Sequence, residues 1–413
     1  MFKRTLSCLV HISCCILLSS VVFADSKPTA DPVSHPDFYY INTSFENASP
    51  LYWEIDADLN IHVYLTYDLE RNSTNRANGH WHFQIQGRQG SDLTFILHNF
   101  HNVWNGKRGI PVSKKSICFI SPDGKDWDVI PTELVDKSLI KFTVHMEQEN
   151  IYAARLEPYR VSDLERLKSK IKDNPLVGIE TIGHTVEGRE LEIIRVGDPN
   201  APNSVLLRAR AHPWEPGGNW VVQGLINRFL QDDEASRSYR KRFCVYIMPM
   251  SNKDGVARGW TRFNSLGMDL NRKWDKPADP KLSPENHALE SWIRSMIDKG
   301  KRPDLAIDFH NDEGGNLHIS RPNIALDQYL ADMKRFEKLL YAKTWFTEGA
   351  TGGNFHNPGS LGEGFLERFG INAIIQELNC NWIAGLKKEP FGKDWELFGE
   401  QLLEVFLNYF DEQ

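Results

Sequence analysis

The chain has 413 residues, of which 41% are hydrophobic and 25% are charged, and its formal net charge is −7. This length exceeds what one small core needs and indicates two domains. Lys and Arg are not in surplus over Asp and Glu, so the composition argues against a nucleic-acid-binding protein. Beyond the N-terminus no segment is long and apolar enough to span a bilayer, so we expect no transmembrane segment in the mature chain.

The N-terminus has the layout of a secretory signal peptide. Lys3 and Arg4 precede an apolar run over residues 6–23, and Ala24 ends a small-x-small cleavage pattern. We therefore expect residues 1–24 to be a signal peptide cleaved after Ala24, and the mature protein to be secreted or periplasmic. An N-terminal membrane anchor is the alternative interpretation of the same run.

Cysteine spacing argues against a disulfide-stabilised fold. Removal of residues 1–24 leaves three widely separated cysteines, Cys118, Cys244 and Cys380. An odd number at such spacings forms no disulfide framework, and the spacing also shows no Cys-rich zinc site. The mature protein must therefore rely on its hydrophobic cores.

The first structured region predicted by the sequence is all-β. Residues 25–37 are polar and rich in Pro, which indicates a disordered lead-in. From 38 to 155, short segments alternate apolar and polar residues, as in 59–65, 80–86 and 92–98, with turn residues between them. This pattern predicts an N-terminal β-sandwich domain over residues 38–155.

Residues 156–413 have a different pattern, in which strands alternate with helices. Short apolar segments predict strands at 191–196, 204–209, 243–248, 304–308 and 373–377. Helical spacing predicts helices at 161–172 (with Ser162 as N-cap), 220–230, 284–297, 327–341 and 395–410. The alternation predicts an α/β domain with a largely parallel sheet.

Three potential metal ligands follow strands of this second domain. His212 and Glu215 come after the strand ending near Ala209, and His310 comes after the strand ending at Asp308. In an open α/β sheet, ligands bind at the carboxyl ends of strands. Two His and one Glu with an open fourth position form a ligand set of catalytic zinc. The sequence therefore predicts one zinc ion per chain, held by these three residues.

Further polar residues have the chemistry of a hydrolase. Glu377 ends an apolar strand, where it is either a structural ion-pair partner or a general base acting on a water molecule. Arg262, Asn271 and Arg272 lie in a loop region rich in Gly and Asn. Such residues hold a carboxylate or stabilise an oxyanion, the alternative being a solvated loop.

The motifs together resemble the zinc carboxypeptidase family (the M14 peptidases), most closely its cytosolic-carboxypeptidase branch. The resemblance covers roughly residues 160–405. The motifs that carry it, in chain order, are Gly183-His-Thr-Val-Glu-Gly-Arg189, His212-Pro-Trp-Glu215, Ser251-Asn-Lys-Asp-Gly-Val256, Gly259-Trp-Thr-Arg262, Gly267-Met-Asp-Leu-Asn-Arg272, Asp308-Phe-His310 and Glu377-Leu-Asn379.

The resemblance implies a fold, a reaction and residue roles. It implies a mixed, mostly parallel sheet flanked by helices, with a β-sandwich before it, and removal of the C-terminal residue of a peptide or protein substrate. The implied zinc ligands are His212, Glu215 and His310. Glu377 would be the general acid/base and Arg262 would polarise the scissile carbonyl. Asn271 and Arg272 would bind the terminal carboxylate of the substrate.

This sequence departs from the family pattern at three places. Trp214 replaces a small residue and is expected to narrow the cleft, whereas Lys253 replaces a Pro and is expected to change only a loop. The family's lid Tyr is missing, and Phe355 or His356 is the candidate substitute for binding substrate. The Gly-rich segment 349–364 is predicted to be a mobile loop over the cleft.

Glu363 lies in the Gly-rich segment, at the position expected for the specificity pocket. An acidic pocket there would favour a basic terminal side chain on the substrate. The secretory signal makes a tubulin-like substrate improbable, because the cytosolic relatives lack such a signal.

Two other functions remain open at this point. A related zinc amidohydrolase acting on acylated amino acids or cell-wall peptides would use the same ligands. A non-catalytic peptide- or glycan-binding protein that keeps the fold is the third possibility.

Overall fold

The computed structural model describes residues 33–71, 73–109, 112–136 and 138–411. The predicted signal peptide (1–24) and residues 25–32 of the predicted lead-in lie outside the described residues. Within the described ranges, no helix combines the length and apolar character that a membrane crossing requires.

The first part of the chain folds into a two-sheet sandwich, and buried side chains alternate with more exposed ones along its strands. The first sheet has the order β1-β4-β12-β8-β9 and the second has the order β10-β11-β5-β3-β2, while β6 and β7 form a separate hairpin. In β5 the side chains of Leu93, Phe95 and Leu97 are buried and their neighbours are not, as expected for a strand with one face on a core. The predicted β-sandwich fold is confirmed. The strands are β1 (Phe38–Asn42), β2 (Leu51–Ile55), β3 (Ile61–Leu65), β4 (His82–Gly87), β5 (Asp92–His98), β6 (Asn102–Trp104), β7 (Lys107–Gly109), β8 (Ile117–Ser121), β9 (Asp128–Pro131), β10 (Glu133–Val135), β11 (Leu139–His145) and β12 (Asn150–Ala154).

The second part of the chain forms a seven-stranded sheet with the order β13-β14-β16-β15-β17-β19-β18. Its four central strands are parallel, whereas the pairings toward both edges are antiparallel, so the sheet is mixed. The central strands are buried along nearly their whole length because helices cover both faces. The strands are β13 (Val177–His184), β14 (Glu190–Val196), β15 (Asn203–Ala209), β16 (Phe243–Met248), β17 (Leu305–Asp312), β18 (Leu317–His318) and β19 (Asn372–Asn379).

Among the residues that the structure describes, eight helices accompany this sheet. The N-terminal cap of the first is Arg160 and not the predicted Ser162, because the Arg160 N–H donates to the Asp163 carboxylate at 2.6 Å. Helix α2 packs along α8, and their apolar faces contribute to the larger core. The helices are α1 (Val161–Ile171), α2 (Gly217–Phe229), α3 (Glu234–Arg242), α4 (Lys253–Ala257), α5 (Pro284–Asp298), α6 (Asp327–Lys343), α7 (Leu361–Phe369) and α8 (Gly392–Asp411).

Three of these helices were not predicted, each for a physical reason. Helix α3 is strongly polar and buries only Ser236 and Tyr239, so it has little apolar periodicity, and α4 has five residues. Helix α7 begins inside the Gly-rich segment, so the expectation that 349–364 is entirely a loop is wrong for its last four residues. Gly364 is required there because a Cβ would clash with the Trp274 carbonyl oxygen.

Candidate metal centre

The predicted metal ligands lie at the carboxyl ends of the central parallel strands. His212 and Glu215 occupy the turn between β15 and α2. Arg210 begins this turn with a φ of 60°, and its buried guanidinium donates to the Pro213 carbonyl oxygen at 2.7 Å. This hydrogen bond stabilises a left-handed backbone conformation that is unfavourable by itself, and the chain turns there toward the sheet edge.

His310 and Glu377 lie inside their strands and not beyond them. Strand β17 continues to Asp312, past the predicted end at Asp308, and His310 is aligned with Glu377 of β19. Aligned residues of parallel neighbouring strands project to the same face of a sheet. The register therefore places the imidazole and the carboxylate side by side, although 67 positions separate them in sequence.

The two imidazoles meet the carboxylate of Glu215. Its Oε1 lies 2.9 Å from His212 Nδ1 and its Oε2 lies 2.7 Å from His310 Nδ1, and the two Nδ1 atoms are 3.2 Å apart. All three side chains are almost fully buried. Potential ligand atoms of the three residues lie within 4.8 Å of one another, a separation that suits one shared metal ion.

The opposite ring nitrogens are also engaged. His212 Nε2 lies 3.2 Å from Asp269 Oδ1, and His310 Nε2 lies 2.9 Å from Asp308 Oδ2. A carboxylate that accepts the Nε2–H fixes the tautomer and leaves Nδ1 free to bind a metal. The donor set therefore fits zinc. Neither Asp was singled out from the sequence, although each precedes a site residue within a motif, in Asp269-Leu-Asn-Arg and in Asp308-Phe-His.

Charges inside the centre oppose the effect of burial. Burial alone would raise the pKa of Glu215, but the neighbouring His212 and His310 lower this pKa to about 2. Burial alone would lower the pKa of His310, but the charges of Asp308 and Glu215 raise it well above its ordinary value. The centre is thus a buried set of charges whose members stabilise one another.

Glu377 faces the centre with part of its carboxylate free. Its Oε2 is buried and has no hydrogen-bond partner among the described residues. Burial, followed by the charge of Asp312, raises the pKa of Glu377 well above its ordinary value. A carboxyl group whose pKa is raised holds a proton more readily than an ordinary Glu, a property that suits general acid/base chemistry.

Arg262 and Arg272, in the loop region between α4 and α5, differ in the hydrogen bonds that their guanidinium groups donate. Arg262 donates from Nε and Nη2 to Asp269 Oδ2, both at 2.8 Å. Arg272 is largely buried and donates from Nη1 to the Asn271 carbonyl oxygen at 2.8 Å. Burial lowers the pKa of Arg272, while the charges of Asp269 and Glu377 act in the opposite direction.

Asn271 is more constrained than a free substrate ligand. Its Oδ1 accepts from the Leu361 N–H at 3.0 Å, and its Nδ2 lies 3.2 Å from His310 Nε2. The first N–H groups of a helix lack partners inside that helix, so the start of α7 uses the amide oxygen. Asn271 therefore lies between the start of α7, which it caps, and a predicted metal ligand, which it contacts.

The segment before α7 carries the two candidates for the missing lid side chain. The Phe355 ring lies 4.9 Å from the ring of His318, whose imidazole belongs to a cluster with Asp312 and Glu377. His356 is half exposed, and its Nδ1 lies 2.8 Å from Glu363 Oε1. Phe355 therefore contacts a member of the cluster that contains the proposed base, whereas His356 pairs with Glu363.

Glu363 and Trp214 are used within the fold. The Glu363 carboxylate is buried and accepts from the Asn357 N–H at 2.5 Å, in addition to its contact with His356. The Glu363 carboxylate is consequently paired within the fold and does not form the open acidic pocket that was expected. Trp214 is partly buried against the larger hydrophobic core.

Comparisons with known proteins agree with these observations. Residues 164–313 match the zinc carboxypeptidase family model. An uncharacterized protein of Zymomonas mobilis is 32% identical over 197 residues, which cover 47% of this chain and 49% of that one. Cytosolic carboxypeptidase 3 of Mus musculus is 30% identical over 161 residues, which cover 37% of this chain and 16% of that one. The chain thus spans about half or less of these relatives' length.

Solved structures show the same fold. A metallo-carboxypeptidase from Burkholderia cenocepacia has a TM-score of 0.79 at 22% identity, over 90% of this chain and 99% of that one. A metallo-carboxypeptidase from Pseudomonas aeruginosa, in complex with (2-guanidinoethylmercapto)succinic acid, has a TM-score of 0.75 at 23% identity, over 91% and 100%. Residues 164–313 are thus similar to the zinc carboxypeptidase family, and the chain shares the fold of these metallo-carboxypeptidases.

Proposed function

We propose that this protein is a zinc-dependent metallocarboxypeptidase that hydrolyses the C-terminal peptide bond of a peptide or protein. The observation that carries the proposal is the convergence of His212, Glu215 and His310 beside Glu377. The three ligands are paired with one another, and the unpartnered carboxylate oxygen belongs to the residue that the reaction needs as a base.

His212 and His310 would hold one zinc ion through Nδ1, and Glu215 would hold it through its carboxylate. Bound zinc supplies Lewis acidity, which polarises a carbonyl group and lowers the pKa of a water molecule. Asp269 and Asp308 keep the two imidazoles in the required tautomer.

The remaining residues position the substrate and move protons. Glu377 takes a proton from the attacking water and passes it to the leaving amine. Arg262 stabilises the negative charge that develops on the scissile carbonyl oxygen. Arg272 pairs with the terminal carboxylate, with Asn271 beside it, because a guanidinium binds a carboxylate at two points. Phe355 would close over the substrate in place of the missing Tyr.

The proposal is tested by metal content and product analysis on the same preparation. We expect one zinc per chain in protein purified without chelator, and loss of single C-terminal residues from a peptide library read by mass spectrometry. Glu377→Gln should lower kcat about 100- to 10,000-fold with zinc retained, since it removes the general base. His310→Ala should lose both zinc and activity.

Two exposed residues provide matched controls. Glu367→Gln and His287→Ala change the same residue types away from the centre and should leave zinc content and turnover unchanged. Normal activity in Glu377→Gln, or stoichiometric zinc in His310→Ala, would contradict the assigned roles. Hydrolysis of acylated amino acids without peptide trimming would indicate the amidohydrolase. Less than one zinc per chain, with peptide binding and no turnover, would indicate a binding protein.

We further propose that the protein acts after export, as the N-terminal sequence predicts. Cell fractionation of the native host should place the protein in the periplasm or medium, with an N-terminus at Asp25. Recovery of the full-length chain in the cytoplasmic fraction would contradict this proposal.

A further inference from the structure

We propose that the β-sandwich completes the active site, with Asp68 as a positioning residue for Arg262. The inference rests on the proposed role of Arg262 in peptide hydrolysis. It assigns a function to a domain that the zinc chemistry by itself does not require.

Asp68 lies in the loop after β3 and caps the backbone that carries Arg262. Its carboxylate accepts from three consecutive N–H groups, those of Thr261 at 2.9 Å, Arg262 at 2.5 Å and Phe263 at 3.1 Å. Such charge-assisted bonds are about twice as strong as neutral ones. One side chain of the sandwich thereby fixes the φ and ψ angles around Arg262.

Arg262 lies outside any helix or strand, and within the second domain Trp214 N–H and Asn252 Nδ2 hold only the carbonyl oxygens of its neighbours Thr261 and Phe263. Residues 259–283 lie between α4 and α5 and form neither helix nor strand. A loop without its own ladder of hydrogen bonds depends on outside acceptors for its buried N–H groups. Removal of the Asp68 carboxylate would therefore leave three consecutive N–H groups without their acceptor at the position where orientation matters most.

The sandwich backbone lies directly against the same loop. Gly259 has a φ of 65°, and a Cβ there would clash with the Ala48 carbonyl oxygen. Gly267 has a φ of 77°, and its carbonyl oxygen accepts from the Arg71 N–H at 2.9 Å. The two glycines of the Gly-Trp-Thr-Arg and Gly-Met-Asp-Leu-Asn-Arg motifs are thus at points of close approach by the sandwich.

Two further side chains of the sandwich reach the guanidinium end of Arg262. The Arg262 Cζ lies 4.9 Å from the centroid of the Trp104 ring, at the end of β6. Asn75 Nδ2 lies 3.3 Å from Asp269 Oδ2, the oxygen that binds Arg262 Nε and Nη2. The sandwich therefore contacts the backbone of Arg262, the face of its guanidinium group and its carboxylate partner Asp269.

A preorganised donor stabilises developing charge only when it is held at the correct position, and a displacement of about 1 Å costs about 100-fold in rate. Asp68→Asn keeps the shape but turns an N–H₂ group toward N–H donors. In the zinc-loaded full chain we expect kcat to fall about 10- to 100-fold, with KM within about 3-fold and one zinc retained. Asp58→Asn, an exposed change in the same domain, should be unaffected.

A double-mutant cycle distinguishes positioning from general destabilisation. In an Arg262→Ala background, Asp68→Asn should lower kcat by less than about 3-fold, because the residue it positions is absent. Asp68→Glu keeps the negative charge and should recover part of the kcat lost in Asp68→Asn. Multiplicative losses in the cycle, or an unchanged kcat in Asp68→Asn, would overturn the proposal.

A second variant and a second measurement remain informative if Asp68→Asn does not fold. Trp104→Ala removes a partly exposed side chain and should lower kcat about 3- to 10-fold, again without effect in Arg262→Ala. Hydrogen exchange at residues 261–263 should accelerate in Asp68→Asn, or in Asp68→Glu as the substitute, and not in Asp58→Asn. Unchanged exchange would refute the positioning of Arg262 by Asp68. Hydrogen exchange needs no turnover. Absence of peptidase activity in the wild type would therefore refute the proposed function, while the contact between Asp68 and residues 261–263 would still be tested by exchange.

Discussion

Lys253 is the residue whose replacement is expected to be most informative about stability. Its side chain is 2% exposed and its ammonium group donates to Glu192 at 2.7 Å and 2.6 Å, and Glu192 also pairs with Lys168. The side chain at this position was expected to alter only a loop. The structure shows instead that it begins α4 and forms a buried ion pair with β14.

Lys253→Met leaves the buried carboxylate of Glu192 without its main partner. Removal of one member of a buried pair costs about 3–5 kcal/mol, and because Lys168 still contacts Glu192 we expect about 3 kcal/mol. Burial lowers the pKa of Lys253 and the charge of Glu192 opposes that effect, so the two charges depend on each other. Replacement of both residues by apolar ones should therefore cost less than the single change.

The assay is urea unfolding of the zinc-loaded chain, followed by circular dichroism and fluorescence together. Lys253→Met should lower the free energy of unfolding by about 3 kcal/mol, Lys253→Met with Glu192→Leu by less, and the exposed control Lys299→Met by under about 0.5 kcal/mol. A Lys253→Met protein as stable as the control would refute the reasoning. So would a double variant that is less stable than the single one.

Three further outcomes are expected. Gly259→Ala should lower thermal stability by clearly more than Gly188→Ala. Both glycines have a left-handed backbone, but a Cβ at Gly188 would meet open space, so that change should cost only about 1–2 kcal/mol. Equal losses would contradict the close approach of Gly259 to Ala48. Burial lowers the pKa of His80 to about 4, so the stability it gives is complete above pH 6.5 and is lost as the pH falls through 4. The free energy of unfolding of the wild type should fall by about 3 kcal/mol more than that of His80→Gln between pH 7 and pH 4, and parallel curves would refute this. Burial raises the pKa of Cys118 to about 12, so alkylation at pH 8, read by mass spectrometry, should label this thiol in urea and not in the folded protein.

Much of the fold was predictable because its signals are local. Strand β16 was predicted at its observed bounds, and β5 was identified from strict alternation. The long amphipathic helices were found for the same reason, with ends differing by a few residues. Helix α7 was not predicted because it begins in a Gly-rich segment, where Gly364 packs against Trp274 in a contact that leaves no periodic pattern.

The candidate centre was predictable in its members but not in its connections. The spacing of His212 and Glu215 and the strand that leads to His310 indicate a zinc site from the sequence alone. The use of Asn271 by α7 depends on a helix that was not predicted, and the pairing of Glu363 depends on the turn that precedes that helix.

By itself, the sequence determined the two-part fold, the resemblance to the zinc carboxypeptidase family and the identity of the candidate site residues. These properties follow from periods of two and 3.6 residues and from short motifs, all of which are written along a continuous stretch of chain. Only the tertiary structure decided that Asp68 caps Arg262 across 194 positions and that Lys253 neutralises Glu192. The partner of a buried polar group depends on which chain segments meet in space, and that pairing has no period along the sequence.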